Sequence, residues 1–412
     1  MKSAVCGLPH SALAVRLDGV GFSEIASIRN QIRQRHAQGE QILQFEGGEP
    51  FAHTPDHVKE GFRLALEREE TRYPPTSGLP ALLDALAEKL QRKNGIPARP
   101  AEIIAVNGAV QGLFAAFHSI VNPGDDVIVF SPYWTPIRDI VQTAQGRLVR
   151  VDIRQARAER LRAVIEQHLS PRTRCIYLNT PHNPTGTVFS REECAIVADV
   201  ARAHNLFVVS DEAYEDIVFG EEHVSIASLP GMFERTITCF SFSKAYAMTG
   251  WRLGYAVAPE PFISGLRSYV LNMTGGVSTP TQWAGLAALE SGAAFVESCR
   301  AAYRARRDLL VSGLRDLGFD CEMPRGTFFA FPNAARFERD SRELASTLLR
   351  RAKLACVPGA FFGPEGEGHL RFSFSTSLET IEEGLEALRR TLAPNRSWPR
   401  RSSSRQPTAV PA

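Results

Sequence analysis

The chain has 412 residues, 44% apolar and 22% charged, proportions ordinary for a soluble globular protein. Its length exceeds one minimal domain and suits a large α/β domain with a smaller companion. Lysine plus arginine (47) nearly balances aspartate plus glutamate (45), and the resulting charge of +2 argues against nucleic acid or an anionic membrane as main partner.

In chain order, residues 1–20 read as a flexible arm whose Ala/Leu patch is too short for a secretory leader. No stretch approaches the ~18 uninterrupted apolar residues of a membrane helix. A helical pattern covers Glu24 to Gly39. β-Rich runs follow at Ile103–Val106, Asp126–Phe130, Arg174–Leu178, Leu206–Val209, Thr236–Phe240 and Leu253–Val257. Several are near-continuous apolar stretches, as strands covered on both faces require. Helical stretches separate most of them, such as Arg191–Ala203 with Cys194, Ile196, Val197 and Val200 as its apolar positions. The alternation predicts a mostly parallel central sheet with helices on both faces.

After about residue 290 the pattern changes to a long helix (Phe295–Leu317), a β-rich Gly326–Phe331, a helix, Leu370–Phe374 and a last helix to about Leu392. This reads as a smaller α+β domain made of residues 21–50 and 291–393, with residues 51–290 as the large domain. Residues 394–412, rich in Ser, Pro and Arg, read as a disordered tail. The seven cysteines are scattered, with no CxxC pair or Cys/His cluster. A disulfide framework or metal site is therefore not expected, and a reducing cytoplasm fits.

Ligands of parallel α/β sheets gather at the C-terminal strand ends, and four polar clusters fall there. Asn107-Gly-Ala-Val-Gln-Gly112 opens a helix whose first N–H groups can cradle a phosphate; a simple capped turn reads the same way. Asn179-Thr-Pro-His-Asn-Pro-Thr-Gly186 is a loop stiffened by prolines, holding two asparagines at a strand end or merely capping a turn. In Ser210-Asp-Glu-Ala-Tyr214 a carboxylate ends a buried strand, which is costly without a cation or several donors. A helix N-cap at Asp211 is the plainer alternative. In Ser241-Phe-Ser-Lys-Ala-Tyr-Ala-Met-Thr-Gly-Trp-Arg252 a lysine leaves an apolar strand. Such a lysine can lose its proton well below its usual ~10.4, as nucleophilic amine chemistry requires.

Taken together, the residues resemble the class I/II aminotransferases, the fold-type I family of pyridoxal 5′-phosphate (PLP) enzymes, in their aspartate-aminotransferase-like form. The resemblance rests on Asn183-Pro-Thr-Gly186, Asp211-Glu-Ala-Tyr214, Ser241-Phe-Ser-Lys244 and Gly250-Trp-Arg252. Gly48-Glu-Pro50, Tyr73-Pro-Pro-Thr-Ser-Gly78, Ser131-Pro-Tyr-Trp134, Val357-Pro-Gly359 and Leu370-Arg-Phe-Ser373 agree in order and spacing. It spans about residues 20 to 392.

The resemblance implies transfer of an amino group between an L-amino acid and a 2-oxo acid. Lys244 is then the Schiff-base lysine and proton carrier, and Asp211 the partner that keeps the pyridine nitrogen protonated. Tyr214 and Asn183 hydrogen-bond the ring's phenolic oxygen, and Trp134 stacks on the ring. The amides of Gly108, Ala109 and Val110, with Ser241 and Arg252, hold the phosphate. Arg371 clamps the substrate α-carboxylate, helped by Asn183 and the Gly48 backbone. Tyr73 reaches the phosphate of the neighbouring subunit, which implies a homodimer with shared sites.

One departure is that many relatives carry a hydroxyl or a lysine where this chain has Ala109 and Val110, so weaker cofactor retention is expected. The same scaffold also serves C–S β-lyases, which release pyruvate without an added oxo acid. A PLP-fold transcription regulator is a remoter alternative, since the segments flanking the similarity are too short for a DNA-binding domain. The substrate side-chain pocket is expected from Glu24 to Ile28, Tyr133, Asn272 to Gly276 and the other subunit. None of these carries an unmistakable specificity residue.

Overall fold

The computed structural model describes residues 14–21, 24–155, 158–220 and 222–392. The expected tail, and residues 1–13 of the expected arm, lie outside them.

Among the described residues twelve strands form in chain order: β1 (Leu43–Gln44), β2 (Ile103–Val106), β3 (Asp126–Ser131), β4 (Arg147–Asp152), β5 (Thr173–Asn179) and β6 (Phe207–Asp211). They continue as β7 (Thr236–Ser241), β8 (Gly254–Val257), β9 (Phe329–Ala330), β10 (Leu354–Ala355), β11 (Val357–Pro358) and β12 (Leu370–Ser373). Seven of them make one sheet in the order β2-β8-β7-β6-β5-β3-β4. Only β8 breaks the parallel run, pairing antiparallel with β2 and β7. The fold is thus the expected one: a mostly parallel sheet with helices on both faces.

Strand periodicity explains why β3 is apolar from Val127 to Phe130. Val127 and Val129 enter a core shared with Leu113 and Phe117 of the Ala109–Ile120 helix, on one face. Ile128 and Phe130 enter another, shared with Cys194, Val197 and Val200 of the Arg191–Ala203 helix. Successive side chains point to opposite faces, so a strand covered on both sides has no polar position to spare. The Arg191–Ala203 helix starts on a capping box: Ser190 Oγ accepts from the Glu193 N–H (3.1 Å), and the Glu193 carboxylate accepts from the Ser190 N–H (2.8 Å).

The remaining strands build a parallel pair, β1-β10, and an antiparallel sheet, β11-β12-β9. Phe328, Phe329, Phe372 and Phe374 pack there with Tyr303 and Leu310 of the Ala293–Asp316 helix and Leu388 of the Leu378–Leu392 helix. Phe45, just past β1, joins this core edge-on to Phe372 at 6.0 Å. The Glu24–Ala37 helix docks Ile32 against Ile42, Leu349 and Ala355.

Two expectations need correction. β4 was not anticipated; it is the sheet's edge, and its half-exposed Arg-Leu-Val-Arg-Val-Asp lacks a continuous apolar run. The Gly326–Phe331 run forms a strand only at Phe329–Ala330. Gly326 makes only an isolated antiparallel bridge with Val218, and Thr327 then takes a left-handed φ of +63°, so the chain turns before a continuous strand can form. Among the described residues, cysteines 175, 194, 239, 321 and 356 are buried free thiols and Cys299 is half-buried, and no helix is long and apolar enough to cross a membrane.

Candidate active site

The strand-end clusters converge on one cavity of about 250 Å³. β7 ends at Ser241, whose Oγ accepts from the Ser243 N–H (3.1 Å) and starts the single helical turn Phe242–Ala245. That turn aims Lys244 into the cavity. Its Nζ donates to the Gly48 carbonyl (2.6 Å) and lies 5.7 Å from the Tyr214 ring centre and 5.9 Å from that of Phe328. Desolvation by these walls, reinforced by repulsion from Arg371, pushes the Lys244 amine down to about 8. A substantial share of it is therefore the neutral nucleophile near physiological pH.

Asp211 ends β6 and is buried. One carboxylate oxygen accepts from the Tyr177 hydroxyl (2.7 Å), the other from the Ala213 N–H (3.3 Å). Burial pushes Asp211 up to about 6 although both hydrogen bonds pull it down, so the site lacks a full positive counterpart. The burial of Tyr214 pushes its phenol upward too, which keeps it a hydrogen-bond donor at neutral pH.

Asn179 locks the next loop in place. Its side-chain amide donates to the Asp211 carbonyl (3.0 Å), and its Oδ1 accepts from the Asn183 N–H (3.0 Å). Asn183 in turn accepts from Arg371 Nη1 (3.1 Å), while Arg371 Nη2 donates to the Glu46 carbonyl (2.8 Å). The Arg371 guanidinium lies 4.1 Å from the Phe329 ring centre and 5.0 Å from that of Phe362. Its Nε is buried with no partner. Burial lowers Arg371 to about 10, which leaves it a cation at neutral pH. Arg371→Lys keeps the charge but loses the planar fork. We expect kcat/KM for every amino donor to fall about 30- to 100-fold, mainly through KM, as loss of a charge-assisted bond requires; steady-state kinetics with several donors measures it.

The Ala109–Ile120 helix begins where β2 ends, so the first amides of the helix, without intrahelical acceptors, head its positive end. Arg252 is braced beside them by the carbonyls of Thr249 (2.9 Å) and Asn107 (3.3 Å). Gly108, at φ +76°, lets it approach: a Cβ there would lie 2.4 Å from Arg252 Nη2. Ala109, Val110, Trp134, Asn183, Ser241 and Arg252 all border the cavity, as do Gly48 and Arg371. Of the site residues singled out from sequence, Gly108 and Tyr73 do not, and of the segments expected to form the side-chain pocket only Ile25 does: Glu24 and Tyr133 line a separate cleft, and Asn272 to Gly276 lie off this wall. Gly108 abuts Arg252, and Tyr73 is 95% exposed, off the wall of its own chain's site.

Sequence reasoning missed Tyr177, Phe329 and Arg29. Tyr177 looked like one more strand residue. The signal was its place two residues before Asn179, which pairs with Asp211 across β5 and β6 and therefore puts Tyr177 on the same face.

These residues fit PLP. A helix start with a guanidinium and hydroxyls suits a phosphate, and a buried carboxylate short of positive charge suits a protonated ring nitrogen. The lysine beside them is already largely desolvated. Fold and site together define a PLP-dependent enzyme of fold type I.

Comparison with known proteins gives the family. The profile described as "Aminotransferase class I and II" matches residues 40–388. An aspartate/prephenate aminotransferase of Thermus thermophilus is 39% identical, over 92% of this chain and 98% of that protein. Aromatic-amino-acid aminotransferase 2 of Thermococcus litoralis is 37% identical over 92% of this chain and 98% of its own. The structure of a Thermus thermophilus aspartate aminotransferase with maleate superposes with a TM-score of 0.88 at 38% identity, covering 93% of this chain and all of that one. The chain belongs to the class I and II aminotransferases, and it is a PLP-dependent transaminase.

Proposed function

We propose that the chain moves amino groups between L-amino acids and 2-oxo acids with Lys244, Asp211 and Tyr214 as its catalytic residues, in a cytoplasmic homodimer. The observation that carries this reading is the single cavity in which Lys244 Nζ, the Asp211 carboxylate and the Arg371 guanidinium meet. PLP, when bound, supplies an electron sink for the charge left at the substrate Cα.

The protein's part is positional and electrostatic. Asp211, fixed by Tyr177 and the Ala213 amide, would hold a positive charge on the ring nitrogen. Lys244 Nζ would anchor the cofactor, and its free amine would be the group placed to take and return the substrate Cα proton. Arg252, Ser241 and the amides of Gly108, Ala109 and Val110 would hold the phosphate, Trp134 would cover the ring, and Tyr214 and Asn183 would hydrogen-bond its oxygen. Arg371, with Asn183 and Gly48, orients the α-carboxylate so that the Cα proton faces Lys244.

Tyr73 supports the dimer: an aromatic phenol left 95% exposed in one chain is explained if it completes a partner's phosphate site. Residues 51–290 then form the cofactor domain, and residues 21–50 with 291–393 a small domain, a division supported by the core that Phe45 shares with Phe372. The relatives' names point to dicarboxylic and aromatic amino donors.

A panel of amino donors against pyruvate, 2-oxoglutarate and oxaloacetate tests the reading. We expect at least one donor to change the visible absorption of the bound cofactor and to yield a new amino acid. Pyruvate formed from a β-substituted donor without any oxo acid would transfer the assignment to β-elimination.

A further inference from the structure

One buried carboxylate beside the site has no part in the reaction described above. Glu212 follows Asp211 directly and is fully buried. Its N–H donates to the Cys239 carbonyl (2.9 Å), carrying the contact of β6 with β7 one residue past Asp211. Successive side chains along extended backbone point to opposite faces. Asp211 therefore meets Tyr177 on one face, while Glu212 turns to the other with Ser210. There its carboxylate accepts from the Ser210 hydroxyl (2.8 Å), the Ser225 hydroxyl (2.5 Å) and His223 Nε2 (2.7 Å).

What Glu212 lacks is a cation. The nearby ammoniums serve other acids: Lys89 pairs with Glu215 (2.5 Å) and Lys93 with Asp216. Asn94 joins the two parts of the cluster through a neutral amide, donating to Glu215 (2.7 Å) and to Ser225 (2.9 Å). Among the described residues the only ion-pair partner of Glu212 is His223, whose Nδ1 is buried with no partner there. An imidazolium needs an acceptor at both nitrogens, so the ring meets Glu212 as a neutral donor. A buried carboxylate without a cation is costly. A glutamine can accept from Ser225 and His223 and donate to Ser210 without that cost, so anchoring the turn does not require the charge. The charge does act on its neighbour. Burial is the largest cause that lifts the Asp211 carboxyl, and the charge of Glu212 lifts it further. A second negative charge on the far side of Asp211 also favours a protonated ring nitrogen on the near side.

We propose that Glu212 is a positioning residue of this enzyme: its uncompensated charge acts through Asp211 to keep the ring nitrogen of the bound cofactor protonated. The inference rests on the PLP site assigned above.

The apoprotein supplies the first test. Urea melts between pH 4 and 8 compare wild type, Asp211→Asn, Glu212→Gln and the double variant. The pH at which Asp211→Asn gains stability over its parent reports the Asp211 carboxyl. This midpoint is expected to fall by about one pH unit in the Glu212→Gln background. The other ionisable groups around the pair, the thiols of Cys194 and Cys239, the phenols of Tyr177 and Tyr255 and the Lys244 amine, are common to all four chains and cancel. His223→Arg, paired with Asp211→Asn in the same way, sets a permanent cation against Glu212 from its half-buried rim and should move the midpoint in the same direction. Either background suffices if the other fails to fold.

The holoenzyme, loaded with PLP carrying ¹⁵N in the ring, supplies the second. The resonance of the protonated nitrogen should be lost about one pH unit lower in Glu212→Gln, with kcat about 3- to 10-fold down and KM unchanged. Glu212→Asp keeps the charge and should restore both. A midpoint or a nitrogen resonance unmoved by Glu212→Gln and His223→Arg would overturn the proposal and leave Glu212 an anchor of the turn. An enzyme that transaminates no donor would instead overturn the proposed function, and the apoprotein midpoint would still decide whether Glu212 acts on Asp211.

Discussion

Lys244→Ala removes turnover by at least about 10⁴-fold, because it deletes both the covalent anchor and the proton carrier. Helix start, Ser241 and Arg252 remain, so the variant still takes up PLP, now without a bond to the chain. Gel filtration that keeps the cofactor's absorbance with the protein, together with borohydride treatment that leaves no mass added to the chain, would establish both halves. The wild-type lysine adds a pH signature. Its amine is pushed down to about 8, so the neutral nucleophile grows tenfold per pH unit below that value and levels off above it. The rate at which apoprotein captures PLP should follow this curve. A curve still rising steeply at pH 10 would place Lys244 in an ordinary aqueous setting and undo the argument.

Asp211→Asn should cost about 10²- to 10³-fold in kcat, the scale of losing one preorganised electrostatic contact to developing charge. Stability should move the other way in the apoprotein. Burial raises the Asp211 carboxyl to about 6 in the folded chain, above its unfolded value of about 3.9. The folded state thus binds the proton more tightly, and ionising Asp211 opposes folding. The penalty is absent below about pH 4, grows as pH rises through about 6, and reaches about 3 kcal/mol above pH 7. Asparagine carries no such penalty and can still accept from the Tyr177 hydroxyl. Apo Asp211→Asn should therefore be more stable than apo wild type at pH 8, and the two should converge near pH 4; urea melts at both pH values measure this. With PLP bound the gain should vanish, since the ring nitrogen supplies wild type with the missing cation. A destabilised apo variant at pH 8 would show that Asp211 is already neutralised within the protein.

Much of this site is legible in the sequence, because its residues sit where β2, β5, β6 and β7 end. A buried strand shows as an apolar run, and the first polar residues after it mark the sheet's C-terminal edge. Asp211 and Lys244 stand out for that reason, though their roles were legible only through resemblance. What stayed hidden lacks such punctuation. β4 lies at the edge, so half-exposure dilutes its pattern with arginines. Tyr177 is indistinguishable from core filling until the register with β6 is known. Arg29 sits on a weakly amphipathic helix among other polar residues, and only the approach of that helix to Arg371 and Gly48 turns one of its arginines into a cavity residue. Arg371 was found through resemblance; its clamp of Asn183 and the Glu46 carbonyl is a contact across more than 180 residues of chain.

The packing of the two sheet systems has an evolutionary consequence. The residues that would grip the cofactor end strands of the seven-stranded sheet or start a helix packed on it. Arg371, Phe329 and Arg29, by contrast, belong to β12, β9 and the helix beside β1 and β10. Substitutions that retune which side chain is accepted can thus accumulate in one half of the site without loosening the other. A chain built this way can change its diet while keeping its chemistry.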